Sequence, residues 1–171
     1  MPYTFITGGA SSGKSSFALN LFKGRKCVTF IATARVTDPE MAERIKLHRR
    51  QRPASWNTIE EPVDLIGVVT SKGSGIGGLI IDCLTFWVSN LIFEGQLDRP
   101  SILDLAEKTA QALKNHEFDA LVVSNEIGMG IVPADSESRS YRRIAGEVNQ
   151  IFTAHCKEAF FVLSGIPVRL K

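Results

Sequence analysis

Eight residues near the amino terminus constrain the fold of this 171-residue chain more than any other segment does. They match the pattern G-x-x-x-x-G-K-[ST] in full and are Gly8, Gly9, Ala10, Ser11, Ser12, Gly13, Lys14 and Ser15. The pattern follows a short apolar run, residues 4–7, and opens a helical segment, which is the context that the motif requires. A P-loop in this position predicts an α/β fold whose first strand leads into a phosphate-binding turn.

The residue types of this motif suit the phosphates of a nucleoside triphosphate. Glycines let the backbone curl until successive N–H groups point at phosphate oxygens, and the N-terminus of the following helix adds a partial positive charge. The ammonium of Lys14 would neutralise the β- and γ-phosphates, and the hydroxyl of Ser15 would bind Mg²⁺. We therefore predict that the whole motif binds ATP or GTP and that Lys14 is catalytic.

The rest of the chain alternates short apolar runs with longer amphipathic stretches. Strands are predicted at residues 4–7, 28–32, 79–82, 121–124 and 160–164, and helices at residues 15–22, 39–50, 84–93, 102–115 and 137–157. The continuous apolar runs suit strands buried on both faces, so the alternation predicts a P-loop NTPase-like, mostly parallel sheet flanked by helices. Residues 160–163 and 168–170 could instead form a closing antiparallel hairpin, and the glycine-rich residues 71–78 are predicted to be a loop.

Length and composition narrow the class of protein. A chain of 171 residues with 44% hydrophobic and 22% charged residues is expected to fold as a single domain, residues 1–171. A net charge of +2 gives no reason to expect a nucleic-acid partner. Neither an apolar run of the roughly 20 residues that span a bilayer nor a signal-peptide pattern is present, so we expect a cytoplasmic protein without a membrane partner. Three widely spaced cysteines, Cys27, Cys83 and Cys156, predict reduced and largely buried thiols.

An acidic residue, Asp82, ends the predicted strand at residues 79–82. Ligands of open parallel sheets gather at the carboxyl ends of the strands, so Asp82 is expected to hold Mg²⁺ together with Ser15. Asp82 could also act as the N-cap of the helix that follows it, and the two roles can coexist. The N/T-K-x-D box that reads guanine in switch GTPases is absent from the sequence, which argues against that class.

The predicted helix at residues 39–50 has clear start and stop signals. Asp38 is a favourable N-cap, and Pro39 occupies the first helical position. Pro53 disfavours a helical conformation at the residue before it, so the helix is expected to end near Arg52.

This helix carries a histidine, His48, among several arginines. At 3.6 residues per turn, Met41, Ile45 and His48 share one face. One interpretation is a partly buried structural histidine on a helix whose last-turn arginines suit the helix dipole. The other is a nucleophile that attacks phosphorus and forms a phosphoramidate, because arginines bind phosphate and neighbouring positive charge favours the neutral imidazole. The arginines in question are Arg44, Arg49, Arg50 and Arg52.

With these motifs, the chain resembles the bifunctional adenosylcobinamide kinase / adenosylcobinamide-phosphate guanylyltransferase family of cobalamin biosynthesis. The resemblance is carried, in order, by residues 8–15, 31–34, 40–45, 48, 52–53, 56–60, 82–85, 90–91, 125–133, 146–150 and 164–167. The P-loop is shared with many proteins, whereas the block around His48 and the stretch N-E-I-G-M-G-I-V-P at residues 125–133 are far more specific. The chain departs from the family at Ser11, where arginine is common, and at Arg143, where aspartate is common.

The resemblance implies two reactions. The enzyme would phosphorylate the aminopropanol hydroxyl of adenosylcobinamide, and would then transfer GMP from GTP, through an adduct on His48, to give adenosylcobinamide-GDP. It also implies a homotrimer and contacts between the guanine nucleotide and Thr33, Ala34, Arg35, Arg49, Arg50, Gln51, Arg52, Glu60 and Asp82.

Some assignments stay open at the level of sequence. Asn125 and Glu126 follow a predicted strand and either face the ligands or belong to a structural loop. The alternative functions are a P-loop kinase for another small alcohol, in which His48 is structural, and a nucleotide-dependent switch or assembly ATPase.

Overall fold

The computed structural model describes residues 3–72 and 75–171, apart from the side chain of Arg44. The strands are β1 (Thr4–Thr7), β2 (Val28–Ala32), β3 (Asn57–Glu60), β4 (Gly78–Asp82), β5 (Ala120–Val123), β6 (Glu158–Leu163) and β7 (Ile166–Arg169). The helices are α1 (Lys14–Leu21), α2 (Pro39–Arg50), α3 (Leu65–Ser71), α4 (Leu84–Phe93), α5 (Arg99–Asn115) and α6 (Ser136–His155).

Within these residues, seven strands form one sheet in the order β3-β2-β4-β5-β1-β6-β7. Strands β1 to β6 pair in parallel, and β7 runs antiparallel to β6. The predicted parallel sheet and the closing hairpin are therefore both confirmed. Because β4, β5 and β1 are adjacent and parallel, their carboxyl ends meet at the same edge of the sheet, which is where open α/β sheets bind ligands.

Side chains of the central strands alternate between two buried layers. Phe5 and Ile81 pack with α3, α4, α5 and α6 on one face of the sheet, whereas Ile6 and Ile80 pack with α1 on the other. Burial on both faces explains why these strands are continuous apolar runs in the sequence. Among the residues described, no helix is both long and apolar enough to cross a membrane.

Two elements, β3 and α3, are missing from the sequence-based prediction. Strand β3 lies at the edge of the sheet and is only half-buried to exposed, so it carries no apolar run that would signal a strand. Helix α3 is a seven-residue segment rich in β-branched residues with Gly67 near its centre, a composition that does not favour a helix. Its start is stabilised by Asp64, whose Oδ1 accepts a 2.9 Å hydrogen bond from the Gly67 N–H.

The other boundaries agree with the prediction to within a few residues. Helices α2 and α4 have the predicted bounds, whereas α5 begins at Arg99 rather than at residue 102. The earlier start follows from Asp98, whose side chain accepts a hydrogen bond from the Ser101 N–H as an N-cap. The predicted loop at residues 71–78 is partly occupied by the ends of α3 and β4, and its residues 73 and 74 lie outside the described residues.

The prediction of largely buried cysteines is correct for two of the three. Cys83 and Cys156 are buried. Cys27 is exposed, because it lies in the turn before β2, where its φ angle is +57°.

Candidate nucleotide-binding site

The P-loop joins β1 to α1 and packs against the turn between β6 and β7. The Gly165 N–H donates a 2.8 Å hydrogen bond to Ser12 O. A Cβ atom on Gly8, whose φ is +148°, would lie 2.3 Å from Val162 O, and one on Gly13, whose φ is +96°, would lie 3.2 Å from the Gly165 Cα. Both glycines are therefore required by the closeness of the hairpin as well as by the curl of the phosphate-binding turn.

Lys14 begins α1 and is buried, with 6% of its surface exposed. Its ammonium donates hydrogen bonds to Gly9 O and, at 3.5 Å, to Ser12 Oγ. The ammonium therefore lies across the loop, beside the N-terminus of α1. This arrangement is suited to an anion with several negatively charged oxygens.

Ser15 and Asp82 join the P-loop to the carboxyl end of β4. The Ser15 hydroxyl donates a 2.9 Å hydrogen bond to Asp82 Oδ2. A helix-capping role for Asp82 is not observed, since the N-cap residue of α4 is Cys83 and Asp82 belongs to β4.

The donors present at this point fit Mg²⁺. A hydroxyl and a carboxylate are hard oxygen ligands, and Mg²⁺ commonly takes one or two protein ligands and completes its shell with water and substrate phosphates. In the part of the chain that the structure describes, no cluster of three or more His, Cys, Asp or Glu side chains could hold a metal ion. A pair such as Ser15 and Asp82 next to a phosphate site is the kind of site that nucleotide-bound Mg²⁺ uses.

A cavity of about 280 Å³ opens over this edge of the sheet. Many of the residues that line the cavity are predicted site residues. They are Ser11, Ser12, Gly13, Lys14, Ser15, Ala34, His48, Gln51, Arg52, Glu60 and Asp82. The P-loop and the histidine helix, far apart in the sequence, thus face one space.

Helix α2 forms one wall of the cavity. Met41, Ile45 and His48 all line it, so the predicted shared face of this helix is confirmed. The helix begins as predicted, with the Asp38 carboxylate accepting a 2.8 Å hydrogen bond from the Met41 N–H. That bond is the main reason why the pKa of Asp38 lies below its usual value.

Arg52 brings a positive charge to the same wall. Its guanidinium carbon lies 3.7 Å from the centre of the Phe30 ring, and its Nη1 donates to Thr58 Oγ1 at 3.4 Å. Burial lowers the pKa of Arg52, while the charge of Asp82 opposes that shift. Because a guanidinium stays protonated in proteins, the cavity contains a preorganised cation that stacks on a ring.

Several predicted nucleotide contacts do not line the cavity, and these are Gly8, Gly9, Ala10, Thr33, Arg35, Arg49 and Arg50. Thr33 is fully buried, and its hydroxyl donates to Cys83 O and accepts from the Cys83 N–H. Arg35 pairs with Glu94 at 2.9 Å and Arg49 pairs with Glu60 at 2.8 Å. Both ion pairs are exposed and weak, so either arginine could leave its carboxylate partner and bind a ligand phosphate. The Thr33 hydroxyl, by contrast, is fully used in hydrogen bonds to the protein backbone.

Sequence reasoning missed or left open part of the cavity wall. The residues concerned are Ser16, Ala32, Cys83, Phe86 and Asn125. Asn125 lies just after β5, and Asp82 lies at the end of β4. The position of Asn125 after a predicted strand was therefore the sequence signal that could have identified it as a site residue. For Phe86, on the first turn of α4, the sequence offers no comparable signal. The side chain of Arg44, expected near His48, lies outside the part that the structure describes.

Comparisons with known proteins show the family to which the chain belongs. The family model described as cobinamide kinase / cobinamide phosphate guanyltransferase matches residues 4–170. The bifunctional adenosylcobalamin biosynthesis protein CobP of Pseudomonas aeruginosa is 39% identical over 168 residues, which cover 97% of this chain and 95% of that protein. The bifunctional adenosylcobalamin biosynthesis protein CobU of Escherichia coli is 37% identical over 181 residues, which cover 97% and 98%.

Solved structures resemble this chain in fold alone. The crystal structure of the RadB recombinase superimposes with a TM-score of 0.51 at 15% identity, covering 94% of this chain and 73% of that one. The family model and the full-length relatives, by contrast, cover the P-loop, the histidine helix and the stretch at residues 125–133. The chain therefore belongs to the cobinamide kinase / cobinamide phosphate guanyltransferase family.

Proposed function

We propose that this enzyme performs two consecutive transfers on one corrinoid. It phosphorylates the aminopropanol hydroxyl of adenosylcobinamide, and then transfers GMP from GTP to the new phosphate, giving adenosylcobinamide-GDP. The family to which the chain belongs and the names of its bifunctional relatives support both activities. The observation that carries the proposal is that Lys14, Ser15 and His48 line one cavity.

In the first transfer, the P-loop binds the triphosphate of GTP or ATP. The ammonium of Lys14 and the N–H groups at the start of α1 stabilise negative charge that develops on the phosphate oxygens. Ser15 and Asp82 would hold Mg²⁺, which neutralises charge on the β- and γ-phosphates when it is bound. The corrinoid hydroxyl attacks the γ-phosphorus, and the nucleoside diphosphate leaves.

In the second transfer, His48 is the nucleophile. Its neutral imidazole attacks the α-phosphorus of GTP, the bond to the bridging oxygen breaks, and pyrophosphate leaves with the bonding electrons. An oxygen of the corrinoid phosphate then displaces the imidazole, which breaks the P–N bond and completes the transfer of GMP. The Arg52 guanidinium, held against Phe30 on the same wall, is placed to stabilise charge on the transferring phosphate.

We further propose that residues 1–171 form a single domain that assembles as a homotrimer in the cytoplasm. One sheet contains strands from both ends of the chain, with β1 beside β6. Leu163, Ile166 and Val168 are 61%, 66% and 49% exposed on the terminal hairpin, which is an apolar surface suited to a subunit contact. Sedimentation of the purified protein should give about three times the chain mass of 18.8 kDa.

Product analysis tests the two transfers directly. The protein is incubated with adenosylcobinamide, Mg²⁺ and GTP labelled at either the γ- or the α-phosphorus. We expect γ-label in the phosphorylated corrinoid and α-label in the later GDP derivative. Corrinoid that gains γ-label but never α-label would support a simple kinase. Release of GDP and inorganic phosphate with unlabelled corrinoid would support a nucleotide-dependent switch or assembly ATPase.

A further inference from the structure

Asn125 is a polar cavity residue to which the two-transfer mechanism gives no role. It lies two residues beyond β5, the strand between β4, which ends in Asp82, and β1, which leads into the P-loop. Its side chain lines the cavity together with Lys14 and Asp82. The next residue ties this corner to the P-loop, since the Glu126 N–H donates a 2.9 Å hydrogen bond to Gly8 O.

The donor end of the Asn125 amide is already occupied. Nδ2 donates a 2.9 Å hydrogen bond to Thr85 Oγ1 and lies 3.7 Å from Cys83 Sγ. Thr85 and Cys83 are both buried. In this arrangement the NH₂ group faces Thr85 Oγ1 and Cys83 Sγ, both of which can accept a hydrogen bond. Oδ1 is consequently the end of the amide that remains for a ligand, and no described residue donates to it.

The backbone of Asn125 is held as firmly as its side chain. Asn125 O accepts a 3.1 Å hydrogen bond from Asn149 Nδ2. Asn149 Oδ1 in turn accepts a 2.6 Å hydrogen bond from the Ser124 hydroxyl, and both of these side chains are buried. Hydrogen bonds to buried side chains restrict Asn125 to one conformation, which is what a positioning residue requires.

An amide oxygen has a defined preference among the groups that meet at this site. It repels phosphate oxygens, which are acceptors only, and attracts a hydroxyl, which can donate. We propose that Asn125 Oδ1 accepts a hydrogen bond from the substrate alcohol and so directs its oxygen at the γ-phosphorus. The inference rests on the proposed phosphoryl transfer and extends it by naming the group that orients the acceptor.

The step needs no proton acceptor on Asn125. As the alcohol oxygen bonds to the γ-phosphorus, the bond to the β,γ-bridging oxygen breaks and its electrons leave with the nucleoside diphosphate. The hydroxyl proton passes to an oxygen of the transferred phosphoryl group and from there to water. Transition states of phosphoryl transfer are loose, so positioning of the nucleophile rather than its deprotonation is the main demand on the protein.

Asn125→Ala tests the role, with Asn115→Ala as the control because Asn115 is an exposed asparagine at the end of α5. We expect phosphorylation of adenosylcobinamide to slow at least about tenfold, the size of one lost positioning contact. The KM for adenosylcobinamide should rise while the KM for GTP stays within about twofold, since only the alcohol loses a partner. The control should match the wild type.

A second variant covers the case in which Asn125→Ala does not fold. Thr85→Val keeps the shape of the buried side chain and removes the acceptor that orients the Asn125 amide. It should slow the same step by about threefold, again without raising the KM for GTP. Circular dichroism checks that each variant is folded.

The outcomes separate this inference from the function on which it rests. An unchanged rate in folded Asn125→Ala, or a KM for GTP that rises with the loss of rate, would overturn the assignment to the alcohol while leaving the kinase function in place. Wild-type protein that transfers no γ-phosphoryl group to adenosylcobinamide would overturn both.

Discussion

The Ser15 hydroxyl donates a 2.9 Å hydrogen bond to Asp82 Oδ2, which links the first turn of α1 to the end of β4 across 67 positions of sequence. In a nucleotide complex these two oxygens are the candidates to bind Mg²⁺. In the sheet order β4 is separated from β1 by β5 alone, and all three strands are parallel, so the end of β4 and the P-loop lie at the same edge of the sheet. The consequences of this relationship for activity can be measured.

Asp82→Asn should slow phosphorylation of adenosylcobinamide by about two decades, similar to the loss of one preorganised electrostatic group. Because the amide binds Mg²⁺ more weakly than the carboxylate, higher Mg²⁺ should restore part of the rate. The measurement is a titration of activity against Mg²⁺ for variant and wild type. Superimposable Mg²⁺ dependences would mean that Asp82 has no part in holding the metal.

Lys14→Ala removes the buried cation of the P-loop. We expect a loss of at least ~2.7 kcal/mol in transition-state stabilisation, which is two decades in kcat/KM for phosphoryl transfer. Steady-state kinetics with GTP and adenosylcobinamide give the value. A folded variant with wild-type activity would contradict the assignment of the P-loop as the triphosphate site.

Gly8→Ala should destabilise the protein even without nucleotide. Its Cβ would lie 2.3 Å from Val162 O, at a φ of +148° that side chains rarely adopt. We expect a loss of about 1–3 kcal/mol in the free energy of unfolding. Gly9→Ala is the matched control, since its Cβ would meet nothing within 4 Å. Urea unfolding of both variants checks the difference, and equal stabilities would contradict the close packing of the P-loop on the hairpin.

Burial, together with the nearby charge of Asp82, raises the pKa of Cys83 to about 11 from a reference value of 9.0. An unfolded Cys83 would therefore lose its proton before the folded one does. Its contribution to stability is fully present below pH 9 and is lost as pH rises from 9 towards 11. The free energy of unfolding should fall over this window and should fall less in Cys83→Ala. The same fall in both proteins would contradict the prediction.

The thiols should also differ in reactivity at pH 8. Cys27 is exposed, whereas Cys83 and Cys156 are buried with their pKa values raised by burial. Since the thiolate is the reactive form, a thiol reagent should label Cys27 rapidly and the other two only on unfolding. Rapid labelling of all three in the native protein would contradict the burial of the cavity wall at Cys83.

Much of the fold can be predicted from the sequence because the sequence patterns that indicate strands and helices are local. The P-loop motif predicts the first strand and the first helix, and continuous apolar runs such as residues 79–82 indicate strands buried on both faces. Strand β3 escapes detection because an edge strand buries too little to need an apolar run. Helix α3 escapes because packing against α5, rather than helix propensity, stabilises it.

Site residues that belong to a contiguous motif could be predicted from the sequence. Residues that reach the site only through packing of distant segments could not. Lys14, Ser15, His48 and Asp82 carry their chemistry in their local pattern and meet at one cavity. Thr33 shows the limit, because the family resemblance implied a ligand contact, whereas its hydroxyl is hydrogen-bonded to the backbone of Cys83. The orientation of the Asn125 amide depends on Thr85, 40 positions away, which no local pattern reveals.

His48→Asn should abolish transfer of GMP and leave phosphorylation of adenosylcobinamide largely intact. His48 lies on the α2 wall of the cavity, whereas the groups that act on the γ-phosphate lie on the P-loop and β4. Asparagine keeps a polar side chain but has no nucleophilic nitrogen. Separate assays of the two products measure the effect. Loss of both activities in a folded variant would mean that His48 serves nucleotide binding for both steps.

The most direct test of the two-transfer mechanism is covalent labelling with GTP labelled at the α-phosphorus. Wild-type protein is incubated with the nucleotide, denatured and freed of small molecules, and the retained label is counted. We predict label that is lost in acid and stable in base, as a P–N bond requires, and no retained label in His48→Asn. Undiminished labelling of the His48→Asn protein, or a wild-type protein that retains none, would contradict the assignment of His48 as the nucleophile.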